Sequence, residues 1–256
     1  MNILITGTDG FIGKHLAVYL QHKGHNVEGF EWKPNVIPDP ETDIEKVMEQ
    51  NYEFSMRLLQ LCDQKGTSLM YASSASVYGD TFAENSKLQP QSPYAWSKYL
   101  FDRFIMQVPE FMVNVQGFRF FNVYGPGEEH KGDQQSVFGK FEKQAKETGV
   151  IKVFEGSDKI ERDFIHVGDV CEIIEKFIDV DNTDIWNIGT GYPRTFMDIA
   201  TLYAVKYDAK IEEIPMPSEL QGQYQYYTCS DNKKLINSIG VHKFRTIEEY
   251  VNASKT

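Results

Sequence analysis

Apolar positions change their period several times along the chain. Residues 2–6 form a short apolar run that stops at a glycine, the mark of a buried strand. Phe11, Ile12, Leu16 and Leu20 then recur at helical spacing over 11–23, and Gly24 supplies the stop. A second short strand is predicted over 27–31, so the chain opens as the start of a βαβ unit. Val47, Met48, Leu58, Leu59 and Cys62 mark a helix over 44–65, and 68–73 form the next strand. Residues 77–92, rich in Gly, Asn, Ser and Pro, read as loop. Ser92-Pro93 starts a helix to about 108: serine caps, and proline at the first helical position lacks an N–H that has no helical partner anyway. Strands are predicted over 113–120, 151–154, 185–188 and 210–214. They alternate with helices near 134–148, 168–178 and 195–206, and the C-terminal part is polar and helical. Such alternation predicts the α/β class with a doubly wound parallel sheet.

Composition narrows the class of protein. The 256 residues suit one large domain, or one plus a small lobe. Charged residues at 25% and hydrophobic ones at 41% describe an ordinary globular chain and exclude collagen, a disordered tail and a disulfide mini-protein. No apolar run approaches 18 residues, so no membrane span is expected, and the N-terminus lacks the basic start and cleavage site of a signal peptide. With 26 Lys and Arg against 37 Asp and Glu, the net charge of −11 argues against a general nucleic-acid binder. An anionic small molecule, which feels local charge, stays open. Cys62, Cys171 and Cys229 are far apart and form no CxxC, which suits a reduced, cytoplasmic compartment. The six histidines make no metal-binding spacing, and His22 and His25 flank Gly24, so no metal is expected.

Two motifs carry chemistry. Gly7-Thr8-Asp9-Gly10-Phe11-Ile12-Gly13 lies between the first strand and the first helix. Glycines there allow a tight turn, close backbone approach to a pyrophosphate and close helix–strand packing, and the helix N-terminus favours the anion. That reading makes Gly7, Gly10, Phe11, Ile12 and Gly13 a dinucleotide cradle on a Rossmann-like sheet. Tyr94-Ala95-Trp96-Ser97-Lys98 is a YxxxK; Tyr19 and Lys23 form a second such pair, which reads as a half-exposed surface contact. Tyr94 stands out by its surroundings. It opens a capped helix, shares a face with Lys98, and follows a serine-rich strand end, Ser73-Ser74-Ala75-Ser76-Val77-Tyr78-Gly79. Ligands bind at the carboxyl ends of strands in such sheets.

TGxxGxxG, SSAxVYG and YxxSK, in this order, resemble the extended short-chain dehydrogenase/reductase family. The resemblance implies that Tyr94 is the acid/base of hydride chemistry, that Lys98 lowers its pKa and holds the nicotinamide ribose, and that Ser74 hydrogen-bonds the reacting oxygen, with Ser73 and Ser76 as alternatives. A phenol near pKa 10 is a poor base at neutral pH until nearby positive charge stabilises the phenolate. Gly117-Phe118-Arg119-Phe120-Phe121-Asn122-Val123-Tyr124-Gly125-Pro126 and Arg162-Asp163-Phe164-Ile165-His166-Val167-Gly168-Asp169-Val170 are similar to the sugar-nucleotide epimerases of that family. His130-Lys131-Gly132, Phe154-Glu155-Gly156-Ser157 and Gly222-Gln223-Tyr224-Gln225 point within it to the ADP-glycero-manno-heptose 6-epimerases. This implies Lys131 as a second acid/base across the sugar, since hydride leaves one face of a carbinol carbon and returns to the other. It also implies Asn122, Phe154, Glu155, Gly156, Ser157, Arg162 and Tyr224 around a nucleotide-diphosphate sugar, with Arg162 as the diphosphate clamp. Lys140 would add a phosphate contact, beside Lys143 and Lys146 on what also reads as a wet helix face. Val123 would touch the cofactor.

Two features point to different nicotinamide cofactors. Glu31 ends the second strand, where an acid holds the adenosine ribose and repels a 2′-phosphate, which favours NAD. The resemblance and Trp32-Lys33 favour NADP, with NAD open. The implied domains are 1–123 plus about 163–190 for the dinucleotide, and about 124–162 plus 191–256 as a smaller C-terminal substrate-binding lobe. A homo-oligomer is expected. One stretch departs from the pattern: from Glu31 to Gln50 the chain is too short to hold the further strands that the family carries there, one of them beside the first strand. A missing central strand would leave buried backbone groups unpaired, at about 1–3 kcal/mol each. The folded protein is therefore expected to contain that strand, with residues absent between Pro34 and Ile44. A UDP-hexose 4-epimerase, another sugar-nucleotide reductase and an inactive cofactor-binding protein are the rival readings.

Overall fold

The structure, a computed structural model, describes residues 1–31, 43–108, 111–128, 135–217 and 225–253. β1 (Asn2–Thr6) pairs in parallel with β2 (Asn26–Phe30), from Asn2 opposite Asn26 to Thr6 opposite Phe30. α1 (Phe11–His22) joins them and turns Ile12 and Leu16 toward the core. The helix predicted over 44–65 is present but not uniform: α2 (Ile44–Val47) runs through a π-helical stretch, Met48–Glu53, into α3 (Phe54–Lys65). Gly66, at φ +65°, ends it in the left-handed conformation that glycine adopts without steric cost.

β3 (Leu69–Ser74), α4 (Pro93–Gln107) and β4 (Val115–Phe120) form the next unit. Ser92 caps α4 by accepting from the Ala95 N–H at 3.3 Å, with Pro93 at the first position, as the Ser-Pro pair predicts. β3, β4 and β8 (Asp184–Ile188) hydrogen-bond in parallel in that order. Between them in sequence come β5 (Asn122–Tyr124), α5 (Val137–Thr148), β6 (Val150–Phe154), β7 (Glu161–His166) and α6 (Val167–Phe177). β9 (Pro193–Thr195), α7 (Phe196–Tyr207), β10 (Lys210–Ile214), α8 (Lys233–Ile239) and α9 (Ile247–Ala253) complete the chain. β5 pairs in parallel and β9 antiparallel with β7, and β10 pairs in parallel with β6.

Three strands escape the hydropathy pattern for a physical reason. β5 and β9 have three residues each, too few to show a period. β7 opens Glu-Arg-Asp, yet Arg162 and Asp163 are buried because each has partners in the fold. One core cluster lies between β3, α3 and α4 around Leu59, Phe101, Ile105 and Val115. A second gathers Phe118, Ile165, Ile173, Phe177 and Trp186 around β4, β8 and α6. A third, built from Tyr124, Phe138, Phe141, Ile151, Tyr203 and Val251, lies between α5, α7 and α9. Among the described residues no helix is long and apolar enough to cross a membrane.

The centre of the sheet bears on the strand expected beside β1. β1 hydrogen-bonds to β2 and β3 to β4, and among the described residues no strand joins β1 to β3. The expected intervening strand is therefore not found there; the window from Pro34 to Ile44, where residues would be absent, falls almost wholly outside the described residues. Leu4 in the middle of β1 is 60% exposed and Phe30 is 49% exposed.

Candidate active site

The glycine turn has the close approach that its spacing predicts. Gly7 sits at φ +80°. A Cβ on Gly13 would lie 2.1 Å from the Gly7 carbonyl oxygen, so α1 can pack on the turn only with glycine there. The Gly10 N–H donates to the same oxygen at 3.1 Å. α1 starts without a side-chain cap or an acidic residue in its first turn, which leaves a helix N-terminus suited to an anion. Phe11 is buried and Ile12 half-buried beside the β8–α6 core. The Glu31 carboxylate, at the end of β2, accepts the Asp9 N–H across the turn. Trp32, next to it, lies outside the described residues.

Ser74 ends β3, and Tyr94 and Lys98 stand on the first turns of α4. The Lys98 ammonium lies 5.6 Å from the centre of the Tyr94 ring, as i,i+4 neighbours on one face should. Both side chains are half-buried. The three serines of the strand end have separate fates. Ser73 is buried, and its hydroxyl donates to Asp102 at 3.0 Å, so it serves the core. The Ser74 hydroxyl accepts the Ser76 N–H at 3.2 Å and caps a short 3-10 turn, Ala75–Val77, which leaves its own proton available to donate. The Ser76 hydroxyl is buried with no protein partner in the structure. Asn51, in the π-helical stretch, donates to the Ser97 hydroxyl at 3.1 Å, and that hydroxyl donates to the Tyr94 carbonyl at 2.7 Å. The first turn of α4 is thereby tied to the neighbouring helix.

Beneath this constellation lies a buried polar cluster. Asp102, one turn along α4 from Lys98, accepts from Arg119 Nε at 2.7 Å, from Ser73 at 3.0 Å and from the Tyr71 hydroxyl at 3.0 Å. Arg119 Nη1 donates to the Tyr78 hydroxyl at 2.8 Å, and Tyr78 donates to Asn187 Oδ1 at 2.7 Å. Burial pushes the Tyr78 phenol up to about 12 and holds Tyr71 well above the ordinary tyrosine value, so both remain neutral donors at neutral pH. Apart from Ser73, none of these residues has a role assigned from the sequence; the signal available was the i,i+4 step from Lys98 to Asp102.

The residues that the resemblance implies around a sugar are less uniform. Asn122 is exposed at the start of β5, and Val123 beside it is half-buried. Phe154 is half-buried, Glu155 exposed, and Gly156 turns the chain at φ +82°. Ser157 is buried with a hydroxyl that has no partner in the structure. Arg162 is 8% exposed; its guanidinium donates to the Glu161 carbonyl at 3.0 Å and to the Gln225 carbonyl, and it stacks over Phe196. Lys140 is exposed on α5, on the face opposite Phe138 and Phe141. Lys131 and Tyr224 lie outside the described residues. Glu128, buried and unremarked in the sequence, accepts from the Gly125 N–H at 3.2 Å and from the N–H and hydroxyl of Ser136 at 2.9 Å each. It clasps the two chain positions that flank His130-Lys131-Gly132. Asp163 likewise accepts from Thr190, Gly191 and Ser230 and joins β7 to the loop after β8.

Comparison with known proteins agrees with this arrangement. A curated ADP-L-glycero-D-manno-heptose-6-epimerase of Brachyspira hyodysenteriae is 45% identical over 204 residues, covering 76% of this chain and 64% of that protein. The chain thus spans somewhat under two thirds of that relative's length. Among solved structures, the Helicobacter pylori ADP-L-glycero-D-manno-heptose-6-epimerase superposes with a TM-score of 0.85 at 24% identity, over 98% of this chain and 94% of that one. A UDP-N-acetylglucosamine 4-epimerase of Methanobrevibacter ruminantium gives 0.81 at 18% identity, over 98% and 97%. At such identities these two likenesses establish the fold. Sequence matching adds the family: its description fits residues 3–38 and again 34–189, breaking where the chain runs short after β2, and the chain belongs to the NAD dependent epimerase/dehydratase family.

Proposed function

We propose that the protein is a cytoplasmic NAD(P)-dependent nucleotide-sugar epimerase acting at C6 of an ADP-glycero-manno-heptose, in the supply of lipopolysaccharide core or a similar glycan. The observation that carries the reading is Tyr94 and Lys98 on one helix face beside the Ser74 strand end, in a chain 45% identical to a heptose epimerase. The residues present fit a nicotinamide dinucleotide: a Cβ-free cradle at Gly7 and Gly13, an uncapped helix N-terminus for the pyrophosphate, and Glu31 for the ribose. Glu31 at the strand end supports NAD, while Trp32-Lys33 and the resemblance support NADP, which is the cofactor we assign. The dinucleotide half comprises 1–123 plus about 163–190, and the sugar half about 124–162 plus 191–256. Assembly as a homo-oligomer belongs to the same reading.

Bound there, the nicotinamide supplies a hydride acceptor and donor. Tyr94 takes the C6 hydroxyl proton, the Lys98 ammonium stabilises its phenolate, and the Ser74 hydroxyl holds the reacting oxygen. At the aldehyde stage, rotation about C5–C6 presents the opposite face. Lys131 then stands as acid/base for that orientation, on a motif flanked by the Glu128 clasp. Arg162 meets the diphosphate, Lys140 adds positive charge, and Asn122, Phe154, Glu155, Gly156, Ser157 and Tyr224 surround the nucleotide sugar. A second reading, a cofactor-binding protein without turnover, is favoured by the absence, among the described residues, of a strand joining β1 to β3.

The deciding experiment incubates the purified chain with ADP-heptose, UDP-glucose and GDP-mannose and follows new epimers by NMR. C6 epimerisation of ADP-heptose alone supports the proposal; C4 epimerisation of UDP-glucose replaces it with the hexose reading. Bound dinucleotide without turnover on any sugar replaces it with the inactive reading. Within an active enzyme, Lys131→Met is expected to cut epimerisation by about 10² while sparing reduction or oxidation of an aldehyde analogue. Equal loss of both reactions would make Lys131 a binding residue.

A further inference from the structure

The Asp102–Arg119 pair is costly to bury. Asp102 is 1% and Arg119 3% exposed, and a buried ion pair is weak evidence for stability, because apolar residues of the same volume often do as well. What the pair does uniquely is join segments. Asp102 lies on α4, which carries Tyr94 and Lys98. Its carboxylate takes hydrogen bonds from Tyr71 and Ser73, and Ser73 directly precedes Ser74. Arg119, on β4, reaches from Asp102 to Tyr78 and, at 3.3 Å, to the Glu84 carbonyl, both in the loop that leaves Ser74. Tyr78 and Glu84 bond in turn to Asn187 on β8, at 2.7 and 2.9 Å.

Resting on the epimerase reading above, we propose that the buried Asp102–Arg119 pair is a positioning device. It sets the Ser74 strand end against the Tyr94 and Lys98 helix, and it keeps the region beneath Lys98 electrically neutral. Two of its consequences are separable. Mechanically, Ser74 directly follows Ser73, which bonds to the pair, and Lys98 and Tyr94 stand about one and two turns from Asp102 on the same helix. Electrostatically, an unpaired Asp102 carboxylate one turn from Lys98 would compete for its positive charge and hold the Tyr94 phenol protonated. An unpaired Arg119 would do the opposite. The charged and titratable groups around the pair are Tyr71 on β3, Tyr78 and Glu84 in the following loop, Lys98 on α4, and Asp184 at the start of β8, which acts on Tyr71 through space. Asp184 is itself paired with Lys234 at 2.6 Å.

The test uses the whole chain labelled with tyrosine carrying 13C at Cζ. The Tyr94 resonance is assigned by its disappearance in Tyr94→Phe and titrated in Arg119→Met and Asp102→Asn. The expected result is a pair of shifts of opposite sign, about half a pH unit or more upward in Arg119→Met and downward in Asp102→Asn. A purely structural pair would move both the same way or neither, and either result in folded variants overturns the proposal. If a charge variant does not fold, Tyr78→Phe decides: it keeps both charges, loosens Arg119 on one side, and should broaden or split the Tyr94 resonance. An unchanged resonance overturns the proposal. The readout needs no turnover, so a wild-type chain inactive on every sugar nucleotide would sink the epimerase reading and leave this test standing.

Discussion

The two halves of the candidate site are built to different standards. The serine, tyrosine and lysine stand on β3 and α4, which share a core with Leu69 and Val115 nearly inaccessible and a satisfied ionic cluster behind it. The glycine turn stands on β1 and β2, whose central residues Leu4 and Glu28 are exposed and which pair with no further strand among the described residues. That unit is held to the molecule by α1: Ile12 and Leu16 pack on the β8–α6 core, and Tyr19 and Lys23 reach Glu175 on α6 at 2.8 and 3.1 Å. One half is fixed by buried bonds that do not exchange with water, the other by an apolar stripe and wet contacts. The proposed acid/base group thus stands on the firmer unit and the proposed dinucleotide seat on the weaker one.

The largest effect should come from the firm half. Tyr94→Phe removes one hydroxyl from a half-buried ring and should lower turnover by about 10² or more, with dinucleotide affinity within about twofold by fluorescence titration. Near-normal turnover would remove Tyr94 from the mechanism. In the other half, Gly13→Ala would put a Cβ 2.1 Å from a backbone oxygen, so α1 must move off the turn. It should weaken dinucleotide binding by about tenfold or more and destabilise the fold by about 1–3 kcal/mol, measured by urea unfolding. Full-strength binding would show that the β1–β2 unit yields freely enough to absorb the clash.

Acid should loosen the joint between the halves. His166 caps α6 by accepting the Gly168 N–H at 3.0 Å through Nδ1. Burial lowers its pKa to about 4. The unfolded chain, with an ordinary histidine near 6.5, therefore takes up the proton first. The stability that neutral His166 contributes is complete above about pH 6.5 and is lost as pH falls toward 4, amounting to about 1–2 kcal/mol by about pH 5. Urea unfolding at about pH 7.5 and pH 5 measures it. His166→Asn, which can still cap, should flatten that slope, and an unflattened slope would assign the acid sensitivity elsewhere.

Much of this contrast was legible before the structure. The glycine spacing, the Ser-Pro start of α4 and the Tyr94–Lys98 step follow from local rules that hold wherever the segment is placed. The two-sided burial of β7 was not legible, because Arg162 and Asp163 look like surface residues until their partners at Gln225, Thr190 and Ser230 are brought to them. Asp102 and Arg119 were hidden for the same reason, being 17 residues apart on different elements. The shortness of the chain after Glu31 is visible in the sequence as a departure, and the window where its consequence would show, Pro34 to Ile44, lies almost wholly outside the described residues. Whether an unpaired strand edge is costly depends on whether water reaches it, and sequence does not give that.

The smallest effect tests how α1 holds the glycine turn. Half-buried on α1, Tyr19 donates to Glu175 on α6, and the neighbouring Lys23 pairs with the same carboxylate. These positive and donor groups hold the Glu175 carboxyl below the usual range. Tyr19→Phe keeps the ring and removes one solvent-screened hydrogen bond, so global stability should fall by under about 1 kcal/mol. The informative readout is local. If α1 is the main tie, amide hydrogen exchange should quicken in β1, α1 and β2 and stay unchanged in β3 and β4, because the ionic cluster there has no contact with Tyr19. Equal quickening in both halves would mean that they open together, and the contrast between a firm and a loose half would then be one of solvent exposure alone.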